Sequence, residues 1–187
     1  EILRCLVGSE MCIRDRGKLL VTGCLSQRYQ DELMEELPEV DGVMGTGSYT
    51  DVVTAVEELM AGEHPEHFER IDRAYDDGER MVTTPPYTAY LKIAEGCSNG
   101  CAFCIIPKLR GRYRSRTMDS LLREAKELEA RGTKELIVIA QDITRYGLDL
   151  KDGSSLAGLL KELCKLDFHW IRLHYLYPEV ITDELID

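Results

Sequence analysis

Cys97, Cys101 and Cys104 set three thiols within eight residues, in a Cys-x-x-x-Cys-x-x-Cys run. Three thiolates on one loop can hold three irons of a cubic iron–sulfur cluster and leave the fourth iron open to a small molecule. A fourth cysteine would close the cluster and suit electron transfer or structure. Zinc is the competing use of clustered thiolates, but tetrahedral zinc sites pair two short ligand elements, and the next cysteine downstream is Cys164. Spare thiols in a core are the third possibility. The spacing favours the cluster over both. Gly96 and Gly100 fit a loop that must wrap closely round such a group, because glycine accepts backbone angles that other residues avoid.

The elements that must position this loop alternate between strand and helix. Leu19–Thr22 reads as a short buried strand ending at Gly23-Cys24, and a helix carrying Leu33, Met34 and Leu37 follows until Pro38 stops it. Gly42–Thr46 is a second strand. Thr50 or Asp51 caps a helix whose Val52, Val53, Val56, Leu59 and Met60 are spaced as one apolar stripe. Ala89–Ala94 is a strand directly before the cysteines, so the loop falls where parallel α/β folds place their ligands. Leu121, Leu122, Ala125 and Leu128 form the next helix stripe, capped by Thr117 or Asp119 and stopped at Gly132. A strand over Glu135–Ala140, a helix over Leu156–Leu166 and a strand over Trp170–Tyr175 complete the pattern. Strands alternating with helices at this interval imply parallel sheets in an α/β fold. Three such units make only part of a barrel, so the chain is expected to be a fragment.

Domain limits follow from composition. Residues 17–62 form a first α/β portion. Residues 63–86, with Gly62, Pro65, Pro85, Pro86 and a charged stretch from Asp72 to Arg80, read as a linker, and residues 87–187 as a second portion. His64 and His67 lie in the expected linker as solvated histidines. Residues 1–16 have no clear period, and Leu6–Arg16 resembles translated sequencing-adapter sequence. They are read as an artefact, and Cys5 and Cys12 with them.

Polar residues gather at the strand ends. The loop Gln141-Asp-Ile-Thr-Arg-Tyr-Gly147 is unusually polar for a βα connection. Gln141 could bond a cofactor or substrate, and Asp142 could orient a neighbour or simply make turn bonds. Arg110, Arg112, Arg114 and Arg116 alternate, and in an extended segment would point to one side and suit carboxylates. A solvated basic edge is the equal alternative. Tyr175-Leu-Tyr177-Pro178 ends the third strand as cavity lining or packing. Cys24 alone reads as a buried thiol.

Across 187 residues the chain is 44% hydrophobic and 30% charged, the balance of a globular protein. No apolar run approaches the ~20 residues of a membrane span. Seven cysteines, three of them too close for a disulfide framework, favour a reducing, cytoplasmic setting. The net charge of −11 leans away from nucleic acid and toward a basic partner.

The segment Tyr90-Leu-Lys-Ile-Ala-Glu-Gly-Cys97-Ser-Asn-Gly-Cys101-Ala-Phe-Cys104-Ile-Ile-Pro resembles the cluster loop of radical S-adenosylmethionine (SAM) enzymes. That resemblance implies a [4Fe–4S] cluster on Cys97, Cys101 and Cys104, SAM chelated at the open iron, and cleavage of SAM to a 5′-deoxyadenosyl radical. It also implies Phe103 beside the adenine. Over residues 17–187 the chain is similar to the methylthiotransferases, which replace a C–H bond with C–SCH3. Cys24, in Val21-Thr-Gly-Cys-Leu25, matches the third ligand of that family's auxiliary [4Fe–4S] cluster, while the first two ligands have no counterpart here.

The resemblance thus implies two clusters, one incomplete, and the end of an N-terminal methylthiotransferase domain followed by the first units of a partial TIM barrel. Arg110-Gly-Arg-Tyr-Arg-Ser-Arg116, Ile139-Ala-Gln-Asp-Ile-Thr-Arg-Tyr-Gly147 and Tyr175-Leu-Tyr-Pro178 resemble the branch that modifies an aspartate β-carbon in small-subunit ribosomal protein twelve (RimO type). The alternatives are the branch that modifies an adenosine in transfer RNA, or a non-catalytic iron–sulfur or zinc module that docks on ribosomes. The implied partners are that ribosomal protein or the ribosome and an electron donor such as flavodoxin or ferredoxin.

Overall fold

Short apolar strands that repeat every few tens of residues, each followed by a helix, pair in parallel in the computed structural model, which describes residues 17–72 and 81–186. Residues 1–16, with Cys5 and Cys12, and residues 73–80 of the expected linker lie outside the described residues. The described chain divides into two units. Residues 17–72 together with Lys108–Arg110 form the first, and residues 81–107 with 111–186 form the second.

In the first unit β1 (Leu20–Thr22), β2 (Gly42–Met44) and β3 (Glu66–His67) make a parallel sheet with β2 in the middle. All three residues of β2 are buried, as the middle of a parallel sheet requires. Two short helices, α1 (Cys24–Arg28) and α2 (Gln30–Glu36), connect β1 to β2, and α3 (Val52–Ala61) connects β2 to β3. Leu33, Val40 and Val43 form the core, with Leu19, Val21, Met34, Leu37 and Phe68 packed against it. Asp41 fastens the start of β1 by accepting the Leu19 N–H at 2.7 Å.

Two expectations fail in this unit. Glu66–His67, expected within the linker, is a sheet strand, with Val43 opposite Glu66 and Met44 opposite His67. Its residues are polar and only two long, so no apolar run announced it. His67 is accordingly not a solvated loop residue, and its ring bonds Glu58 at 2.7 Å. The apolar stripe of α3 also does not face the core. Ala55 and Leu59 are buried, whereas Val52, Val53, Val56 and Met60 are 42, 65, 44 and 76% exposed. At about 100° per residue, the buried face is turned roughly 80° from the centre of the stripe, and the small Ala55 lets the helix seat closely.

The second unit holds a parallel sheet ordered β4 (Thr88–Lys92), β7 (Glu135–Ile139), β8 (Trp170–Leu173). The register pairs Thr88 with Glu135 and Lys92 with Ile139 on one side of β7, and Glu135 with Trp170 on the other. Helix α5 (Met118–Ala130) joins β4 to β7 after the cysteine loop, and α6 (Leu156–Leu163) joins β7 to β8. Both start as sequence chemistry demands: Thr117 accepts the Ser120 N–H and Ser155 accepts the Gly158 N–H. Leu121, Ala125 and Leu128 of α5 and Leu159 and Leu163 of α6 pack with Leu91, Leu136 and Val138 of the strands. Helix α6 ends three residues earlier than its apolar pattern suggests, at Leu163.

The strand expected over Ala89–Ala94 divides after Lys92. Beyond Ile93 the chain leaves the sheet, and β5 (Ala94–Glu95) pairs antiparallel with β6 (Arg114–Ser115). This small pair is a stem that closes the cysteine loop at its base. Helix α4 (Ile106–Arg110) lies within the loop, and α7 (Asp183–Ile186) follows β8.

Behind the stem, Tyr146 is buried and donates its hydroxyl to the Arg116 carbonyl at 3.0 Å. Burial, helped by Asp152 and Asp149 against an opposing Arg116, pushes its phenol up to about 12. An unfolded tyrosine ionises at about 10, so this contribution to stability is complete below that pH. It is lost as pH rises through the folded value. Denaturant unfolding measured from pH 9 upward is expected to show falling stability over that window, with a shallower fall in Tyr146→Phe; identical slopes in the two proteins would contradict the assignment.

Candidate functional site

The cysteine loop begins where β5 ends. Gly96 has φ 78°, and a Cβ there would run into the carbonyl oxygens of Gly111 and Arg112, so the loop's two ends approach as only glycine permits. Cys97 follows, buried, with its N–H donating to the Gly111 carbonyl at 3.2 Å. Gly100 is also left-handed, with φ 65°, and the Cys104 N–H donates to the Cys101 carbonyl at 3.0 Å. Cys101 and Cys104 are half-buried, and all three thiols are free of disulfides.

Side chains hold this loop from two directions. Asn99 Nδ2 donates to Asp142 Oδ2 at 2.9 Å, across the gap between the cysteine loop and the end of β7. Asp142 is 2% exposed. It also accepts the Thr144 N–H at 3.1 Å and the Thr144 hydroxyl, and pairs with Arg145 at 3.4 Å. It therefore makes the turn bonds that its position suggested and orients a neighbour as well. On the other side the Tyr113 N–H donates to Ser98 Oγ at 3.1 Å.

Glu95, the last residue of β5, organises the floor. It pairs with Lys92, accepts the Gly96 N–H at 3.1 Å and accepts from Gln141 Nε2 at 3.1 Å. With its amide nitrogen so used, Gln141 presents Oε1 as a buried acceptor that no described residue satisfies. The Tyr113 hydroxyl is likewise buried without a partner. Burial, then Asp142, Asp149, Tyr146 and Cys97, raise the Tyr113 phenol far above its ordinary value. Glu95, Ser98, Asn99 and Tyr113 were not singled out from sequence. The one available signal was that three of them stand within two residues of a cysteine.

Phe103 is 94% exposed, so it is not a core aromatic. Cys24 opens α1 in the first unit, half-buried, and its sulfur accepts from Arg110 Nε at 3.2 Å. The four alternating arginines do not share a side. Arg110 ends α4, and Gly111 with φ 75° breaks the extended run. Arg116 is buried, bonded to Ser120 Oγ at 2.7 Å and to the Lys92 carbonyl at 3.1 Å, and paired with Glu124. Tyr175 is exposed with φ 65°, and its carbonyl accepts the Ile143 N–H at 3.1 Å.

Among the described residues, no three His, Cys, Asp or Glu side chains are gathered closely enough to hold a metal ion, so Cys97, Cys101 and Cys104 share one loop without converging on one point. The donor set is three free thiols with no imidazole or carboxylate between them, soft ligands suited to iron–sulfur ligation. The glycine-tightened, stem-closed loop fits a cluster bound at three corners, and the orphaned acceptor of Gln141 fits a donor brought by a ligand.

The family model of the radical SAM superfamily matches residues 91–187, just over half of the chain. Among curated relatives, the ribosomal protein uS12 methylthiotransferase RimO of Thermoanaerobacter sp. (strain X514) is 50% identical over 190 residues, covering 100% of this chain and 44% of the relative. The proteins of the same name from Geotalea uraniireducens and Clostridioides difficile are 56 and 52% identical, each covering 90% of this chain and 38% of the relative. The chain thus spans about two-fifths of the length of the curated relatives it matches.

Asp142 is the single side chain on which the loop's attachment to β7 turns. Asp142→Ala removes the acceptor of the half-buried Asn99 amide and Thr144 N–H, at about 0.5–1.5 kcal/mol for each hydrogen bond lost. The expected result is lower stability together with faster proteolysis within residues 97–104. Cleavage and stability equal to the wild type would show that the clamp does not hold the loop.

Proposed function

We propose that this chain, which belongs to the radical SAM superfamily, carries the cluster-bearing part of a methylthiotransferase that acts on an aspartate β-carbon of small-subunit ribosomal protein twelve. The observation that carries the reading is the loop of three free thiols closed by the β5–β6 stem. The shared name of the relatives, uS12 methylthiotransferase, supports that substrate over transfer RNA.

In this reading Cys97, Cys101 and Cys104 hold a [4Fe–4S] cluster. When bound, the cluster supplies the electron for reductive cleavage of SAM. The chain's own residues bind and orient. Gln141 Oε1, fixed by the Glu95 contact, would accept from the amino group of SAM, and Phe103 would lie beside the adenine. Asp142 and Asn99 keep the thiols at a constant position relative to the end of β7, and burial of Cys97 excludes water from one corner. Cys24 serves a second, auxiliary [4Fe–4S] cluster, the first two ligands of which have no counterpart in this sequence. The electron donor is a small redox protein of the flavodoxin or ferredoxin type, the setting is the cytoplasm with no membrane partner, and the net charge of −11 favours a protein surface over nucleic acid. No helix of the described residues is long and apolar enough to cross a membrane.

Two measurements test this. Cys101→Ala removes one ligand and opens a second iron corner; after anaerobic reconstitution it is expected to lose cluster iron and all SAM cleavage relative to the wild type, and retained cleavage would refute the assignment. In a strain lacking the gene, ribosomal protein twelve is expected to lose the mass of one methylthio group. An unchanged mass, with altered transfer-RNA nucleosides instead, would move the enzyme to the other branch.

A further inference from the structure

Tyr113 carries a hydroxyl that the protein buries and that no described residue accepts. The residue is 8% exposed. Its place is fixed from both sides: its N–H is bonded to Ser98 Oγ at 3.1 Å, and the following residue begins the stem strand β6. Ser98 is the neighbour of Cys97, and the Cys97 N–H in turn donates to the carbonyl of Gly111, two residues before Tyr113, at 3.2 Å, so the segment that carries the phenol is bonded twice to the segment that carries this thiol. A buried hydroxyl without an acceptor costs about 1–3 kcal/mol, and a phenylalanine of the same shape would avoid that cost. Tyrosine is protonated at neutral pH, so the group is a donor that lacks an acceptor. Thiolate and sulfide sulfurs are acceptors, and hydrogen bonds to them help set the potential of an iron–sulfur cluster.

We propose that the Tyr113 hydroxyl donates to the sulfur of Cys97, or to an adjacent sulfide of the cluster held by Cys97, Cys101 and Cys104, and so raises the cluster's reduction potential. The inference rests on the reading of the triad as a cluster site. Reduction adds an electron to the cluster, and a donor aimed at its sulfur stabilises the added negative charge; no bond to hydrogen is broken. Tyr113 tunes the cofactor and touches no substrate.

The test is a redox titration, followed by electron paramagnetic resonance, of the protein reconstituted anaerobically with iron and sulfide and free of SAM. Tyr113→Phe is expected to shift the midpoint to a more negative value without lowering the stability of the cluster-free protein. Tyr146→Phe removes another buried hydroxyl, one already bonded to the Arg116 carbonyl, and is expected to leave the midpoint at the wild-type value. Replacement of Tyr113 by 3-fluorotyrosine keeps the ring and strengthens the donor, and is expected to move the midpoint the opposite way, which keeps the inference testable if the Phe variant folds poorly. A midpoint unmoved in both Tyr113 variants, or moved equally by Tyr146→Phe, would overturn it. Failure of the wild type to assemble a cluster would instead remove the acceptor and overturn the cluster reading itself, a distinguishable result.

Discussion

The parallel register of β4 on β7 is the constraint on which the site depends. Lys92 opposite Ile139 brings the exits of the two strands side by side, and everything used by the cysteine loop leaves from those exits. Glu95 meets Gln141 and Asn99 meets Asp142 only because this alignment holds. A one-residue slip would turn each strand's side chains to the opposite face and would take both contacts with it. The fully buried Leu91, Leu136 and Val138 specify the register against such a slip, since their apolar surface has to stay in the core.

On that base the loop is built by closure and then by filling. The β5–β6 stem and the close approach at Gly96 bring the two ends together, which removes most of the conformational freedom that a long loop would otherwise retain. Ser98, accepting from the Tyr113 N–H, and Asn99, donating to Asp142, then hold the loop on two sides. Gln141 Oε1 and Tyr113 Oη are buried with no hydrogen-bond partner among the described residues. One is an acceptor and the other a donor, and both lie in the residues that surround the thiols. A site assembled to receive an ionic ligand and a sulfur cluster has a use for each.

Much of this was legible in the sequence, and for identifiable reasons. The cysteine spacing stated a donor set, the alternation of apolar runs stated an α/β fold, and Thr117 and Gly132 marked the limits of α5 because capping is local chemistry. What escaped was long-range. Glu66–His67 is too short and polar to look like a strand, and pairs only because β2 offers an open edge. The facing side of α3 was decided by Ala55 rather than by the larger valines. The arginine row depended on an extended chain that α4 and Gly111 interrupt. The contact of Asn99 with Asp142 joins residues 43 apart in sequence, and no local pattern announces it.

The central claim is that three thiols hold a cluster whose fourth iron is open to a small molecule. The most direct measurement is the electron paramagnetic resonance spectrum of the reduced, reconstituted protein recorded before and after addition of SAM. The account predicts a [4Fe–4S] signal whose shape changes when SAM binds at the open iron. A signal indifferent to SAM, or a reconstituted protein that holds zinc in place of iron, would contradict it.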